Sequence, residues 1–211
     1  MKQSDFFSGK QQAKYLNNNP LARLLVQNFF SGIAELLQRT GRPGNVLEIG
    51  CGEGHVTDII TGTFTQSSIV ITDIAEKMVE ITKTRINKQE NMQYRVADAE
   101  NLSFNSSSFD CIVICEVLEH VQDPYKVLSQ IHDILHDGGY VLFSVPREPL
   151  WRILNVIRLK YIKRLGNTFG HINHWSRKGF FLFVEEKFDI IDYRLPLPWT
   201  IVLARKRNSF S

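Results

Sequence analysis

The sequence predicts an α/β domain built on a mostly parallel, doubly wound sheet with helices on both faces. Three observations predict it. Short apolar runs of strand length alternate with segments of helical period. One run, Val46-Leu47-Glu48-Ile49, breaks directly into a loop with glycine at positions 50, 52 and 54, ahead of a helix-like pattern from His55. Two later runs end in an acid, Asp73 and Asp98, where strands of a parallel sheet would leave it on one edge.

The elements follow in order. Asn17-Asn18-Asn19-Pro20 supplies a cap and a first helical residue, and apolar residues from Leu21 to Leu37 recur at helical spacing up to Thr40. Gly41-Arg42-Pro43-Gly44 stops that helix. Then come strand 45–49, helix 55–62, strand 69–73, helix 75–88, strands 92–97 and 110–115, helix 123–136 with Asp123-Pro124 as its start, and strand 139–145 after an Asp137-Gly138-Gly139 turn. Past Pro146 the pattern changes. Residues 149–165 are basic, apolar and helix-like, 166–174 are a polar loop, Ser176 caps a helix to Glu185, and 187–195 and 199–206 read as two closing strands. A single domain is expected: 1–43 a helical segment on the core, 44–146 the core, 147–175 an insertion or lid, and 176–211 the closing helix and strands.

Bulk properties narrow the classes. A chain of 211 residues, 43% hydrophobic and 22% charged, can bury a sizeable core. A net charge of +3 does not by itself argue for nucleic acid. Three cysteines with no Cys-x-x-Cys give no thiol metal signature and fit a reducing, cytoplasmic setting. No leader and no apolar run of spanning length is read.

The charges beside the glycines select a ligand. A pyrophosphate on a helix N-terminus wants an electropositive turn. Here Glu48 precedes the loop and Glu53 lies inside it. Two carboxylates suit a phosphate-free nucleoside carrying an ammonium and a sulfonium, a description that S-adenosyl-L-methionine fits. Asp73, 19 residues after Gly54, is placed to accept from ribose hydroxyls, and Asp98 from an adenine amino group.

With Val46–Gly54, Ile69–Asp73, Tyr94–Glu100 and Phe109–His120 in place, the chain resembles the class I S-adenosylmethionine-dependent methyltransferases over about residues 44–146. Within that family it is most similar to the group with Glu-His-Val after the fourth strand, which includes ubiquinone-pathway O-methyltransferases. The resemblance implies a Rossmann-like seven-stranded sheet of order 3-2-1-4-5-7-6 with one antiparallel strand. It also implies a cofactor site of Glu48, Gly50, Cys51, Gly52, Gly54, Asp73, Ile74, Asp98, Ala99, Cys115 and Glu116.

The expected reaction is methyl transfer to a small or lipid-like acceptor, with a hydroxyl as the expected nucleophile and His120 as the candidate base, because imidazole can accept a proton near neutral pH. Trp151, His171, His174 and Trp175 are candidate acceptor contacts. No metal is assigned, but Glu116, Glu119 and His120 resemble the metal site of small-RNA 3′-end 2′-O-methyltransferases. A metal-assisted RNA or catechol-type O-methyltransferase therefore stays open, with His171 or His174 as a further ligand. The same residues also leave room for a non-catalytic S-adenosylmethionine-binding module and for a dinucleotide-dependent oxidoreductase. His55, His132 and His136 are read as surface or helix-end residues. Segment 149–165 can serve as a lid, a peripheral membrane contact or a solvated helix. Its cations alternate with bulky aliphatics, which disfavours nucleic acid. Oligomeric state is not legible.

Overall fold

The computed structural model describes residues 20–86, 90–152 and 170–207. Most of the amphipathic segment 149–165 therefore lies outside the described residues, and so does the Asn17–Asn19 cap. The elements are α1 (Pro20–Leu37, continued by a 3-10 turn Gln38–Thr40), β1 (Asn45–Ile49), α2 (His55–Thr63), β2 (Ser68–Asp73), α3 (Glu76–Arg85), β3 (Met92–Val96), β4 (Phe109–Cys115), α4 (Pro124–Ile134), β5 (Leu135–Pro146), α5 (Arg177–Glu185), β6 (Phe188–Arg194) and β7 (Trp199–Lys206). One seven-stranded sheet runs β3-β2-β1-β4-β5-β7-β6, and β7 lies antiparallel to both of its neighbours. This is the order the resemblance implies.

The two-residue period of a strand explains the layering. On β1 and β4, Leu47, Ile49, Ile112 and Ile114 enter an apolar cluster with α4 and α5. Their alternates Val46, Cys111 and Val113 enter a second cluster with α1 and α2. Strands buried on both faces carry unbroken apolar runs, so β4 from Cys111 on reads as CIVIC. Asp123 caps α4 by accepting from the Lys126 amide at 3.0 Å, and Pro124 fills a first-turn position. Asp110 takes the Gly44 and Asn45 amides at 2.9 and 2.8 Å, which ties the start of β1 to β4.

One local expectation is corrected. Asp137-Gly138-Gly139 is not a turn that precedes a strand. It is a bulge inside a longer β5, where Leu135 pairs with Phe109 and Tyr140 with Cys111. Gly138 has φ +73°. A Cβ on Gly139 would sit 3.0 Å from the Asp110 carbonyl oxygen, so only glycine lets β4 pass this closely. No helix among the described residues is long and apolar enough to cross a membrane.

Candidate active site

The carboxyl ends of β1, β2, β3 and β4 open onto one cavity of about 420 Å³. That is a size ordinary for a small-molecule site, and the location is the one a parallel sheet provides. Gly50, Gly52 and Gly54 all have positive φ, and Gly54 ends the loop at the N-terminus of α2. The loop is anchored from below, since the amides of Gly50 and Cys51 both donate to the Thr72 carbonyl at 2.8 Å. Thr82 of α3 donates to the Gly52 carbonyl at 2.9 Å. At Gly50 the backbone passes so close to the loop after β4 that an added Cβ would lie 2.3 Å from Val117 Cγ2.

The lining includes Gly50, Cys51, Gly52, Asp73, Ile74, Asp98, Ala99, Cys115, Glu116 and His120, so these expected residues come together. Gly54 stands behind them, against Thr82 rather than in the lining. Asp73 is held rigidly, with Oδ2 accepting from the Gly52 amide and Oδ1 from the Ala75 amide, each at 2.9 Å. Each oxygen keeps a second lone pair, so the carboxylate can still take a pair of vicinal hydroxyls. Cys51, Cys111 and Cys115 are free and buried, and burial pushes their thiols upward, away from the thiolate.

Glu48 departs from expectation. It is 1% exposed and absent from the lining, and its Oε2 accepts from the Thr57 hydroxyl at 2.6 Å. Burial raises it from 4.5 to about 8, with the Asp73 charge adding to the shift. Near neutral pH it is mostly a neutral acid, a poor partner for a cation. The folded state then holds a proton that the unfolded state releases near 4.5. Stability is expected to fall as pH rises from about 4.5 through about 8, and to level off above that. Glu48→Gln should flatten this slope in melts taken across that range; an unchanged slope would show that Glu48 ionises freely in the fold.

Glu116 sits just past β4 with φ +59°, a conformation that costs a non-glycine residue energy and clusters at functional sites. Its carboxylate is clamped: the Trp199 indole donates to Oε2 at 2.8 Å and the Ser144 hydroxyl to Oε1 at 3.4 Å. This alters the expected metal set. Among the described residues, the ligand atoms that come within 4.8 Å of one another belong to Glu119, His120 and His171, not to Glu116.

His120 is fixed by a strap, residues 170–174. The Ile172 and Asn173 amides donate to the Glu119 carbonyl at 2.9 and 3.2 Å, and the Asn173 side chain donates to the Leu118 and Val121 carbonyls at 2.9 and 2.8 Å. The Gly170 carbonyl lies 2.9 Å from His120 Nδ1. A carbonyl only accepts, so Nδ1 carries the proton and Nε2 is the basic nitrogen of the neutral ring. Glu119 Oε1 lies 4.0 Å from Nε2.

The other expected acceptor residues divide. Trp151 stacks on His171 at 6.0 Å and tilts against Trp199 at 5.8 Å, while His171 meets His120 edge-on at 4.9 Å. His174 pairs with Glu148 at 3.6 Å. Trp175 packs into the core, 4.7 Å from Phe183. Sequence reasoning misses Phe29 of α1 and His55 of α2, both in the lining. Phe29 carries no signal beyond its place in an apolar stripe. His55 carries one, since the residue after the last glycine opens the helix.

The comparisons agree with this geometry. The family described as "Methyltransferase domain" matches residues 21–186. A ubiquinone biosynthesis O-methyltransferase from Coxiella burnetii is 29% identical over 110 residues, 51% of this chain and 45% of that protein. One from Xanthomonas campestris pv. campestris is 30% identical over 131 residues, 60% of this chain and 54% of that protein. The chain thus spans about half the length of these curated relatives. The N-methyltransferase NodS from Bradyrhizobium japonicum, solved with S-adenosyl-L-homocysteine, superposes with a TM-score of 0.70 at 17% identity over 96% of each chain. The chain belongs to the methyltransferase-domain family. Within it, fold and loop motifs are those of the class I S-adenosylmethionine-dependent methyltransferases.

Proposed function

We propose that this chain moves a methyl group from S-adenosylmethionine to the hydroxyl of a small or lipid-like acceptor, with His120 taking the proton. The observation that carries this reading is the Gly170 carbonyl on His120 Nδ1, which leaves Nε2 as the proton acceptor in a residue that lines the cavity. The relatives named as O-methyltransferases support an oxygen nucleophile.

The residues fit the cofactor. Asp73 would hold the ribose, Asp98 and Ala99 the adenine, and the loop backbone from Gly50 to Gly54 the methionine moiety. When bound, the cofactor supplies an already activated methyl on a sulfonium. The chain's own work is alignment and proton removal. His120 Nε2 would accept the acceptor's hydroxyl proton as the oxygen takes the methyl, the carbon–sulfur bond breaking to leave the neutral thioether S-adenosylhomocysteine. Glu119, 4.0 Å away, stabilises the resulting imidazolium. The His171 ring meets the His120 ring edge-on, and Trp151 stacks on His171 behind it. A single-turnover assay with a panel of phenolic and aliphatic alcohols tests the reading; transfer to amines alone would overturn it.

A second reading is favoured by the convergence of Glu119, His120 and His171. A divalent ion held by two imidazoles and a carboxylate would acidify the acceptor hydroxyl directly. Under this reading, dialysis against a strong chelator is expected to remove activity and added metal to restore it. Full turnover after chelation leaves His120 as a plain base.

A further inference from the structure

Among the described residues, five carboxylates line the cavity: Glu53, Asp73, Asp98, Glu100 and Glu116. Four are already committed to the protein. Asp73 holds two loop amides. Asp98 accepts from the Glu100 amide and the Asn101 side chain, each at 2.8 Å. Glu100 takes the amides of Gln122 and Asp123 at 3.2 and 2.9 Å. Glu116 is clamped by Trp199 and Ser144.

Glu53 differs. Its side chain is 10% exposed, and the charge that acts on it is that of Arg85; the His55 ring lies across the loop with Nε2 at 3.5 Å from Oε2. That is long for a hydrogen bond, so the carboxylate keeps acceptor capacity. His55 is not adventitious there. Arg85 Nη1 lies 2.7 Å from His55 Nδ1, and the same guanidinium holds the Glu53 carbonyl at 2.9 Å and the Asp58 carboxylate. A guanidinium only donates, so Nδ1 accepts and the ring proton sits on Nε2, facing Glu53. Burial and the adjacent Arg85 charge push His55 down to about 4, so it stays neutral in ordinary buffers. Phe30 stacks on the ring at 6.1 Å and fixes its plane.

We propose that Glu53 receives the ammonium of the cofactor's methionine moiety, and that Arg85 and His55 are positioning residues that aim it. The assignment rests on the S-adenosylmethionine reading of the cavity. It gives the loop's cation selectivity to Glu53, because Glu48 is buried out of reach.

The test compares two ligands by calorimetry on the full chain: S-adenosylhomocysteine, which carries the amino-acid end, and 5′-methylthioadenosine, which lacks it. Glu53→Gln is expected to weaken the first about 10–100-fold and to leave the second within about twofold. Binding of 5′-methylthioadenosine also reports that the variant is folded. Arg85→Met should weaken S-adenosylhomocysteine severalfold, and nitrogen NMR should show His55 losing its single Nε2–H tautomer. Equal loss of both ligands in Glu53→Gln, or loss of neither, overturns the assignment while the cofactor reading stands. If the unaltered protein binds neither ligand, both fall.

Discussion

Turnover in His120→Ala is expected to fall about 10²–10⁴-fold, the range ordinarily lost with a general base. The acceptor's proton then has no local destination, and the tautomer fixed by Gly170 is gone. Binding of S-adenosylhomocysteine should hold within severalfold, because the residues proposed for the ribose, the adenine and the amino-acid end lie elsewhere in the lining. The pH–rate profile gives the distinguishing signature. The limb owed to imidazole ionisation disappears, and the variant's rate climbs with hydroxide as the acceptor ionises by itself. A variant that keeps full turnover would remove His120 from the chemistry and leave it a packing residue beneath the strap.

Gly50→Ala should be the most damaging small substitution in the loop. Its φ of +81° disfavours any Cβ, and that Cβ would lie 2.3 Å from Val117 Cγ2. Backbone strain and overpacking each cost about 1–3 kcal/mol, so a loss of about 3 kcal/mol is expected. In a chain of this length that lowers Tm by about 6–12 °C. Relief by moving Val117 would displace the 116–120 loop that carries Glu116, Glu119 and His120, so cofactor affinity and turnover should fall together. Gly41 is the control. Its φ is +76°, but nothing lies within 4 Å of an added Cβ. Gly41→Ala should therefore cost only the backbone strain of its φ +76°, ψ −130° conformation, about 1–3 kcal/mol. Equal losses at the two positions would show that close approach at Gly50 is unimportant.

Much of the fold is legible because its signals are local. The glycine loop, the acids at the ends of runs, Asp123-Pro124 and Ser176 each act within a few residues of where they stand. The order of the last two strands comes from family resemblance, since antiparallel pairing of β7 between β5 and β6 is a long-range fact that no local period encodes. The Gly138-Gly139 bulge reads as a turn in sequence because the two share the same residues; the passing Asp110 carbonyl decides between them. At the site, the sequence places Asp73, Asp98 and His120 on one edge of the sheet but cannot rank the carboxylates. Glu48 and Glu53 look alike in a string of letters. Depth separates them: one lies under the loop against Thr57, the other faces the cavity beside His55. The Trp199–Glu116 bond joins residues 83 apart and leaves no trace in either neighbourhood.

The most direct test of the central claim is calorimetry of the unaltered protein with S-adenosylhomocysteine and with NAD. The carboxylate-lined cavity predicts one-to-one binding of S-adenosylhomocysteine and no detectable heat from NAD, whose pyrophosphate these acids repel. Saturable binding of NAD, with S-adenosylhomocysteine ignored at millimolar concentration, would contradict it.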